Sequence, residues 1–393
     1  MTAREGVSGV PPAGLRGWLA GRGDPTWRAR QVLDALWRAG AGGAGSAAGV
    51  STLPTELRAS LDASYAWDTI VDSELRIGDD GATEKALHRL SDGTAVESVL
   101  MHYPASPSGR ERHTLCVSSQ AGCAVGCPFC ATGELGFGRD LETAEILDQV
   151  RHALRRLAIG GRRLTNVVFM GMGEPLLNLD RVLAAAEALT DPGRAGLGAR
   201  HVTVSTSGVV PAMRRLTELG PRYTLAVSLH AARDPLRDVL VPLNRRWPVA
   251  EVVAAARHHA RVTGRRVSYE VTLIGGVNDT DRDADAIAAL LHGDLAHVNL
   301  IPMNPVAHTP WQPSPPPIVA RFAARLRASG LPTSVRRNRG VEVGAACGQL
   351  AVERAGRVPP SVVSRRRARL EAASAAALRG ERAVDPAPLV EPV

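Results

Sequence analysis

The spacing of apolar residues near the start of the chain predicts short helices. Trp27, Val32, Leu33 and Leu36 recur at roughly helical intervals in TWRARQVLDALWRAG. A break rich in glycine and alanine follows, and LPTELRASLDA then has the pattern of a second short helix. We therefore expect residues 1–70 to form a small helical domain.

The next segment alternates apolar and polar positions, which is the pattern of half-buried strands. Three such runs are separated by the turn sequences GDDG and SDG, and they read TIVDSELR, EKALHRLSDG and AVESVLMHY. Pairing of neighbouring runs would make residues 71–108 a β-rich connector.

From about residue 110 to 345, short β-rich runs alternate with longer helical runs. The β-rich runs are HTLCVSS, TNVVFMG, RHVTVST, YTLAVSLH, RVSYEVTLIG and AHVNLIPM, and the helical runs include ETAEILDQVRHALRRLA, LDRVLAAAEALT, VAEVVAAARHHARVT and ADAIAALLH. Six βα units favour an α/β fold with a parallel, barrel-like sheet over residues 109–350. Binding sites in such folds collect at the carboxyl ends of the strands.

The last segment, residues 351–393, has a different character. SRRRARLEAASAAALRGER predicts a basic helix, whereas VDPAPLVEPV has the composition of a disordered end. We expect this tail to be basic and partly disordered.

Composition narrows the class of protein. Hydrophobic residues make up 45% and charged residues 22% of the 393 residues, which excludes a collagen-like or wholly disordered chain. No stretch reaches ~18 uninterrupted apolar residues. The first residues contain no apolar run of signal-peptide length, so we expect a cytoplasmic protein without a membrane partner.

The net charge of +8 has two interpretations. Of the 47 lysine and arginine residues, all but Lys85 are arginine. A GC-rich genome would favour arginine codons without any functional reason. Alternatively, clustered arginine binds the phosphates of a nucleic acid in a bidentate manner.

Cysteine usage is more specific. Three of the five cysteines, Cys123, Cys127 and Cys130, lie within eight residues in the array C-x3-C-x2-C. Three thiolates on one loop can hold three irons of a 4Fe–4S cluster and leave the fourth iron open for a ligand. A structural zinc site would require a fourth Cys or His at regular spacing, and none lies within the loop. The spacing is similar to that of radical S-adenosylmethionine (SAM) enzymes, in which SAM binds the open iron.

A glycine-rich turn, Gly171-Met-Gly-Glu-Pro175, follows the second predicted strand. Glycine allows close approach of a ligand to the backbone, and Glu174 can accept a hydrogen bond from an ammonium group. Alone this turn is weak evidence. Because the turn lies one βα unit after a three-cysteine loop, it fits a site for the amino group of SAM.

Six segments in order make the resemblance specific: LCVSSQAGCAVGCPFCATGELGFGRDL, VVFMGMGEPLLN, VTVSTSGVVPAM, LAVSLHAA, VNLIPMNP and ACGQL. Together they resemble the RlmN/Cfr family of radical-SAM RNA methyltransferases, and its RlmN branch most. The resemblance implies a partial (β/α)6 radical-SAM barrel preceded by an accessory domain that binds RNA. It also implies one 4Fe–4S cluster and two SAM molecules per turnover.

The resemblance further implies a set of SAM contacts. They are Gly173, Glu174, Ser205, Ser228, Leu229, His230 and Asn304. His230 taken alone would more often be a core histidine than a ligand.

The resemblance also implies chemical roles for three residues that are not ligands of the cluster. Cys347 would carry a methyl group as S-methylcysteine, and a 5′-deoxyadenosyl radical would remove a hydrogen atom from it. After the resulting carbon radical adds to adenine, Cys116 would release the methylated RNA by forming a disulfide with Cys347. Glu97 matches a proton-accepting carboxylate. Without the resemblance, Cys116 would be a core residue and Glu97 a charge on a solvent-facing strand.

The implied substrates are adenosine 2503 of 23S rRNA and adenosine 37 of tRNA, methylated at C2. The implied electron donor is a flavodoxin or ferredoxin. Arg28, Arg30, Arg38 and the basic run 365–369 are candidate phosphate contacts. One departure from the family pattern is Gly344, which stands where an acidic residue is usual.

Alternatives remain at this point. They are methylation at C8, as in Cfr-like members, a radical-SAM enzyme acting on a small molecule or peptide, and a non-catalytic RNA-binding protein with a degenerate metal loop.

Overall fold

The structure is a computed structural model that describes residues 4–37, 46–105, 109–220, 223–336, 338–350 and 360–382. The chain divides into two compact units. The first comprises Met1–Ala121, Asp140–Gly171 and Asn178–Val202, and the second comprises Gly122–Arg139, Met172–Leu177 and Thr203–Val393.

Helices and strands alternate through most of the described chain. In order they are α1 (Pro12–Gly21), α2 (Arg28–Trp37), α3 (Thr55–Ser64), β1 (Ile70–Gly78), β2 (Thr83–Leu90), β3 (Ala95–Tyr103), β4 (Arg112–Cys116), β5 (Gln120–Gly122), α4 (Ala131–Glu134), β6 (Phe137–Asp140), α5 (Thr143–Ile159), β7 (Asn166–Phe169), α6 (Leu179–Thr190), β8 (Val202–Thr206), α7 (Val210–Leu219), β9 (Thr224–Ser228), α8 (Asp234–Leu240), α9 (Val249–Thr263), β10 (Val267–Leu273), α10 (Asp281–Leu290), β11 (Ala296–Pro302), α11 (Pro316–Ala328), β12 (Thr333–Val335) and α12 (Pro360–Leu378).

The first unit combines short helices with a mostly antiparallel set of strands. Strands β1 to β4 pair in sequence order and antiparallel, and β7 then pairs with β4 in parallel. The strands over 70–103 confirm the three predicted β-rich runs. Helix α5 is anchored to this unit by Arg151, which is 2% exposed and donates to the carbonyls of Leu36 and Trp67 and to Asp148.

The second unit contains a parallel set of strands. Strands β8 to β12 pair in sequence order, each parallel to the next. Strand β10 is buried along nearly its whole length, as expected for a parallel strand with both faces covered. The six predicted parallel strands correspond to β4, β7, β8, β9, β10 and β11. The short β12 was not predicted, because three residues carry too little periodicity to detect.

Most predicted helices are present with small changes of boundary. Helix α5 begins at a capping box formed by Glu142 and Glu145, which explains its sharp start. The basic helix predicted in the tail is present as α12, whereas residues 351–359 and 383–393 of that tail lie outside the described residues. In the part of the chain that the structure describes, no helix is long and apolar enough to cross a membrane.

Candidate active site

The loop from Cys123 to Cys130 connects β5 to α4 in a tight turn. The Cys123 amide donates to the Gly136 carbonyl at 2.7 Å, and the Cys130 amide donates to the Cys127 carbonyl at 3.0 Å. Gly122 precedes the loop with φ of 80°, and a Cβ there would lie 1.9 Å from the Gly136 oxygen. Only glycine fits at this position, so the backbone itself fixes where the loop begins.

Burial dominates the electrostatics of the three thiols. It raises the pKa of Cys123 to about 12 and also raises the pKa of Cys127 and Cys130. Backbone amides of Val125 and Gly126 favour the Cys123 thiolate, and they partly oppose the effect of burial on its pKa. Three half-buried thiolates on one loop are therefore unfavourable unless a positive group compensates them.

These features fit an iron–sulfur cluster. Cluster irons supply the missing positive charge, and backbone amides directed at the sulfur atoms are a usual feature of cluster sites. None of the five cysteines forms a disulfide. Among the described residues, no three His, Cys, Asp or Glu side chains could hold one metal ion. The thiolates of a 4Fe–4S cluster each bind a different iron and so stand farther apart than the ligands of a single ion.

Glu174 is a buried carboxylate in the same unit. Its Oε2 accepts from the Ser207 amide and hydroxyl, both at 2.7 Å, and its Oε1 accepts from the Leu176 amide at 3.1 Å. Burial raises the pKa of Glu174, and the bonds from Ser207 and Leu176 oppose that rise. Gly173 precedes it with φ of 101°, a conformation that L side chains rarely adopt. The turn thus presents a fixed, partly compensated carboxylate, which suits the ammonium group of SAM.

Arg237 on α8 joins the strand ends around this carboxylate. The side chain is fully buried and donates to the carbonyls of Ser207, Ser228 and Leu229 at 2.6–3.0 Å. It also donates to the Asn244 side chain at 2.8 Å. Burial lowers the pKa of Arg237 to about 10, so the group remains a cation at neutral pH.

The remaining predicted SAM contacts in the second unit differ in their surroundings. Ser205 lies near the end of β8 and Ser228 at the end of β9, both half-buried, and Leu229 is fully buried. His230 has a left-handed φ of 59°, its Nδ1 accepts from the Thr272 amide, and its ring lies 4.7 Å from that of Phe129. Burial lowers the pKa of His230 to about 3, so the ring is neutral.

The loop that carries Cys347 is bonded to the three-cysteine segment. The Ala131 amide donates to the Gly348 carbonyl at 2.7 Å, and the Thr132 hydroxyl donates to the Leu350 carbonyl at 2.6 Å. Cys347 itself is exposed. Gly344 adopts a left-handed φ of 63° at the end of a short 3₁₀ helix, Val341–Val343. Asparagine and aspartate tolerate this conformation better than other L residues, so glycine here preserves the turn.

Asn304 holds the Cys347 loop through its amide nitrogen and leaves its amide oxygen for another partner. Its Nδ2 donates to the Cys347 carbonyl at 2.9 Å, and the residue is 3% exposed. Its buried Oδ1 has no partner in the described part of the protein. A buried amide oxygen without a donor is costly, and a polar ligand such as SAM would satisfy it.

Cys116 and Glu97 lie in the first unit. Cys116 ends β4 and pairs with Val99 of β3, and it is 8% exposed. Glu97 on β3 is 2% exposed and its Oε1 lies 2.8 Å from Nζ of Lys85. Glu97 is therefore a buried ion-pair partner, which differs from the solvent-facing charge that its strand pattern alone suggests.

Comparisons with known proteins identify the family of this chain. The Radical SAM superfamily matches residues 117–287. A relative from Frankia alni, named a probable dual-specificity RNA methyltransferase RlmN, is 59% identical over 286 residues, which cover 71% of this chain and 67% of the relative. A relative of the same name from Salinispora arenicola is 48% identical over 346 residues, covering 86% of this chain and 89% of the relative.

The chain belongs to the RlmN family of radical-SAM RNA methyltransferases. A crystal structure of a radical SAM methyltransferase from Sphaerobacter thermophilus has a TM-score of 0.83 and 44% identity, and the match covers 88% of this chain and 99% of that one. The expected α/β radical-SAM fold and the family assignment are confirmed.

The sequence pattern alone does not reveal several residues that contact the predicted site residues within each unit. Arg237, Ser207 and Lys85 were not singled out, although each bonds to a predicted site residue or to its neighbour. Lys85 was noted only as an exception in an arginine-rich chain. That exception was the one available signal, because neither strand nor helix periodicity marks a buried cation.

Proposed function

We propose that this protein methylates C2 of an adenosine in 23S rRNA, and of adenosine 37 in tRNA, through a methyl group carried on Cys347. The observation that supports the proposal best is the position of Cys347. An exposed thiol lies on a loop bonded to the segment that follows Cys130, and Asn304 holds its carbonyl. An exposed thiol on a loop bonded to the segment that follows the three cysteines is what a methyl carrier would require, and this supports the proposal.

The cofactors would be held by groups already described. Cys123, Cys127 and Cys130 would bind a 4Fe–4S cluster, and Glu174 and Asn304 would contact SAM, with Gly173, Ser205, Ser228, Leu229 and His230 lining the site. When bound, these groups supply a methyl group and a carbon radical able to remove a hydrogen atom. A small electron-transfer protein, such as a flavodoxin or ferredoxin, would supply the electron.

Cys347 and Cys116 would each carry out one covalent step. Cys347 would carry the one-carbon unit as a thioether and link it to the adenine ring. The Cys116 thiolate would then attack the Cys347 sulfur, so that the sulfur–carbon bond breaks, its electron pair stays with the carbon, and a proton completes the methyl group. The products are methylated RNA and a Cys116–Cys347 disulfide, which an external thiol or reductase reduces. Before this release, the adduct still carries the ring hydrogen and one unpaired electron. Glu97 would accept that hydrogen as a proton, and the electron would return to the bound cluster, so that the aromatic ring is restored.

The RNA would bind first through phosphate contacts and stacking. In the first unit Trp27 is 60% exposed, and the Arg28 guanidinium lies 4.7 Å from its ring centroid. Exposed aromatic rings with adjacent arginine provide stacking surfaces for unpaired bases. Arg38 lies outside the described residues.

A trapping experiment tests the proposal. Cys116→Ala should accumulate a covalent protein–RNA adduct on a denaturing gel with labelled RNA, SAM and a reductant, because attachment needs only Cys347 and release needs Cys116. Cys347→Ala is the matched control and should form no adduct. A Cys116→Ala protein that turned over normally, or an adduct that survived Cys347→Ala, would contradict the assignment. Mass spectrometry of nucleosides from wild-type reactions then distinguishes 2-methyladenosine from 8-methyladenosine.

A further inference from the structure

Lys85 is unusual because it is a lysine in an arginine-rich chain and because its side chain is buried. It is the single lysine among 47 lysine and arginine residues. Its side chain is 8% exposed and pairs with Glu97, which is 3% exposed, at 2.8 Å. In a chain that uses arginine at every other basic position, the retained lysine is thus a buried partner of a predicted catalytic carboxylate.

Strand register places Lys85 on the same face as two predicted catalytic residues. Lys85 of β2 pairs with Val99 of β3, and Val99 pairs with Cys116 of β4. Directly paired residues project to the same face of a sheet, and residues two apart on a strand do too. Glu97 is two residues from Val99, so Lys85, Glu97 and Cys116 share one face within the first unit.

Stability alone does not explain this pair. Removing two charges from water costs several kcal/mol per ion, so buried ion pairs seldom stabilise a fold more than apolar residues would. Arginine also differs in shape, because its planar guanidinium needs a fork of acceptors whereas an ammonium is a compact point charge. The buried Glu97 Oε1 at 2.8 Å suits the ammonium.

We propose that Lys85 is a positioning residue for Glu97. Its compact ammonium keeps the Glu97 carboxylate ionised and fixes Oε1, so that the carboxylate can accept a proton from the RNA adduct beside Cys116. The proton taken by Glu97 passes to solvent after release of the product. This inference rests on the proposed function, because it assigns a partner to the proton acceptor of that reaction.

Variants of Lys85 in the complete, cluster-loaded protein test the proposal. Lys85→Ala should lower the rate of RNA methylation about 100-fold, the usual range for loss of a general base, while the rate of SAM cleavage stays within about twofold. Lys85→Arg should not restore methylation, because the larger fork does not fit. Arg89→Ala is the matched control, since Arg89 is a half-exposed cation on the same strand that pairs weakly with Asp72 and Glu74, and it should behave as wild type.

Chemical rescue separates a positioning role from a purely structural one. Propylamine added to Lys85→Ala should restore methylation at least tenfold, whereas 1-propanol, which fills the same space without charge, should not. Equal rescue by both compounds, wild-type methylation by Lys85→Ala, or full activity of Lys85→Arg would each overturn the proposal.

The single lysine permits a second readout that does not depend on turnover. Protein labelled with ¹⁵N-lysine should show one side-chain ammonium signal protected from exchange, and Glu97→Gln should abolish that protection. An unchanged signal in Glu97→Gln would contradict the ion pair in solution. If wild-type protein makes no methyladenosine, the proposed function fails; if it does and Glu97→Gln also does at the same rate, only the role of this pair fails.

Discussion

At the scale of single residues, Arg237 determines much of the site. It bonds to the carbonyls that follow β8 and end β9, and one of those carbonyls belongs to Ser207, which also bonds to Glu174. The guanidinium therefore couples the predicted carboxylate for SAM to the strand ends beside it. A residue outside the predicted SAM contacts thus holds two of them, Ser228 and Leu229, by their backbone carbonyls.

Replacement of Arg237 by alanine should destabilise the protein by about 3–5 kcal/mol, because three carbonyls and an amide would lose their buried donor. The midpoint of urea unfolding measures this loss. Arg233→Ala is the control, since the Arg233 side chain is 20% exposed and pairs with Asp283 at 2.8 Å, and a partly exposed pair is worth about 1 kcal/mol or less. Equal effects of the two variants would refute the special role of Arg237.

His88 gives a prediction for pH. Its ring bonds to Ser73 and Ser98, and burial, with the nearby His152, lowers the pKa of His88 to about 3. The folded state thus binds fewer protons than the unfolded state between pH 3 and 6.5. The contribution of the neutral His88 ring to the free energy of unfolding is complete above pH 6.5. It is lost as the pH falls, and the free energy of unfolding decreases by about 2 kcal/mol between pH 7 and pH 5.

Urea unfolding at pH 7 and pH 5 checks this contribution. In His88→Gln the loss of stability on acidification should be smaller than in wild type by about 2 kcal/mol, because glutamine has no proton to exclude. The same acid sensitivity in both proteins would show that other groups cause it.

At the scale of elements, helix α12 packs against the three-cysteine loop. Leu370 and Ala377 of α12 belong to the same apolar cluster against which Cys123, Cys127 and Phe129 pack. Arg366 pairs with Glu134 at 3.1 Å, Glu134 pairs with His308 at 2.6 Å, and His308 bonds to the Pro128 carbonyl at 2.9 Å.

This chain of contacts predicts that α12 restrains the loop. Arg366→Ala should speed loss of the cluster in air several-fold, because the loop opens more often when one partner of a partly buried network is removed. The decay of visible iron–sulfur absorbance measures that rate. Arg379→Ala removes an exposed pair with Glu381 just beyond the end of the same helix and should decay as wild type does. Equal decay of both variants would separate α12 from the stability of the loop.

At the scale of the whole molecule, the proposed RNA substrate needs a binding surface, and the exposed ring of Trp27 beside Arg28 in the first unit is a candidate. We expect Trp27→Ala to weaken RNA binding by about 10-fold, because stacking of one base on an aromatic ring contributes about 1–3 kcal/mol. SAM cleavage without RNA should be unchanged. Ile159→Ala is the control, as Ile159 is an apolar side chain of the same unit and 81% exposed. Filter binding measures both affinities, and equal weakening would remove Trp27 from the interface.

The sequence by itself determined the class of fold, the family and the three-cysteine loop. The βα alternation is a periodic signal along the sequence, and the spacing of Cys123, Cys127 and Cys130 is local. Both can therefore be recognised without knowledge of the tertiary contacts. The structure shows that α5 begins at a capping box within four residues, which is a local feature as well.

Only the tertiary structure decided which distant residues meet. Ser207 reaches Glu174 across 33 positions, Asn304 reaches Cys347 across 43, and Lys85 reaches Glu97 through strand register. The alternation along a strand predicts which face of the sheet a side chain occupies. It does not predict which strand is the neighbour or in what register the two strands pair. Burial of a charge depends on those neighbours, so the roles of Arg237 and Lys85 became visible only when the chain was folded.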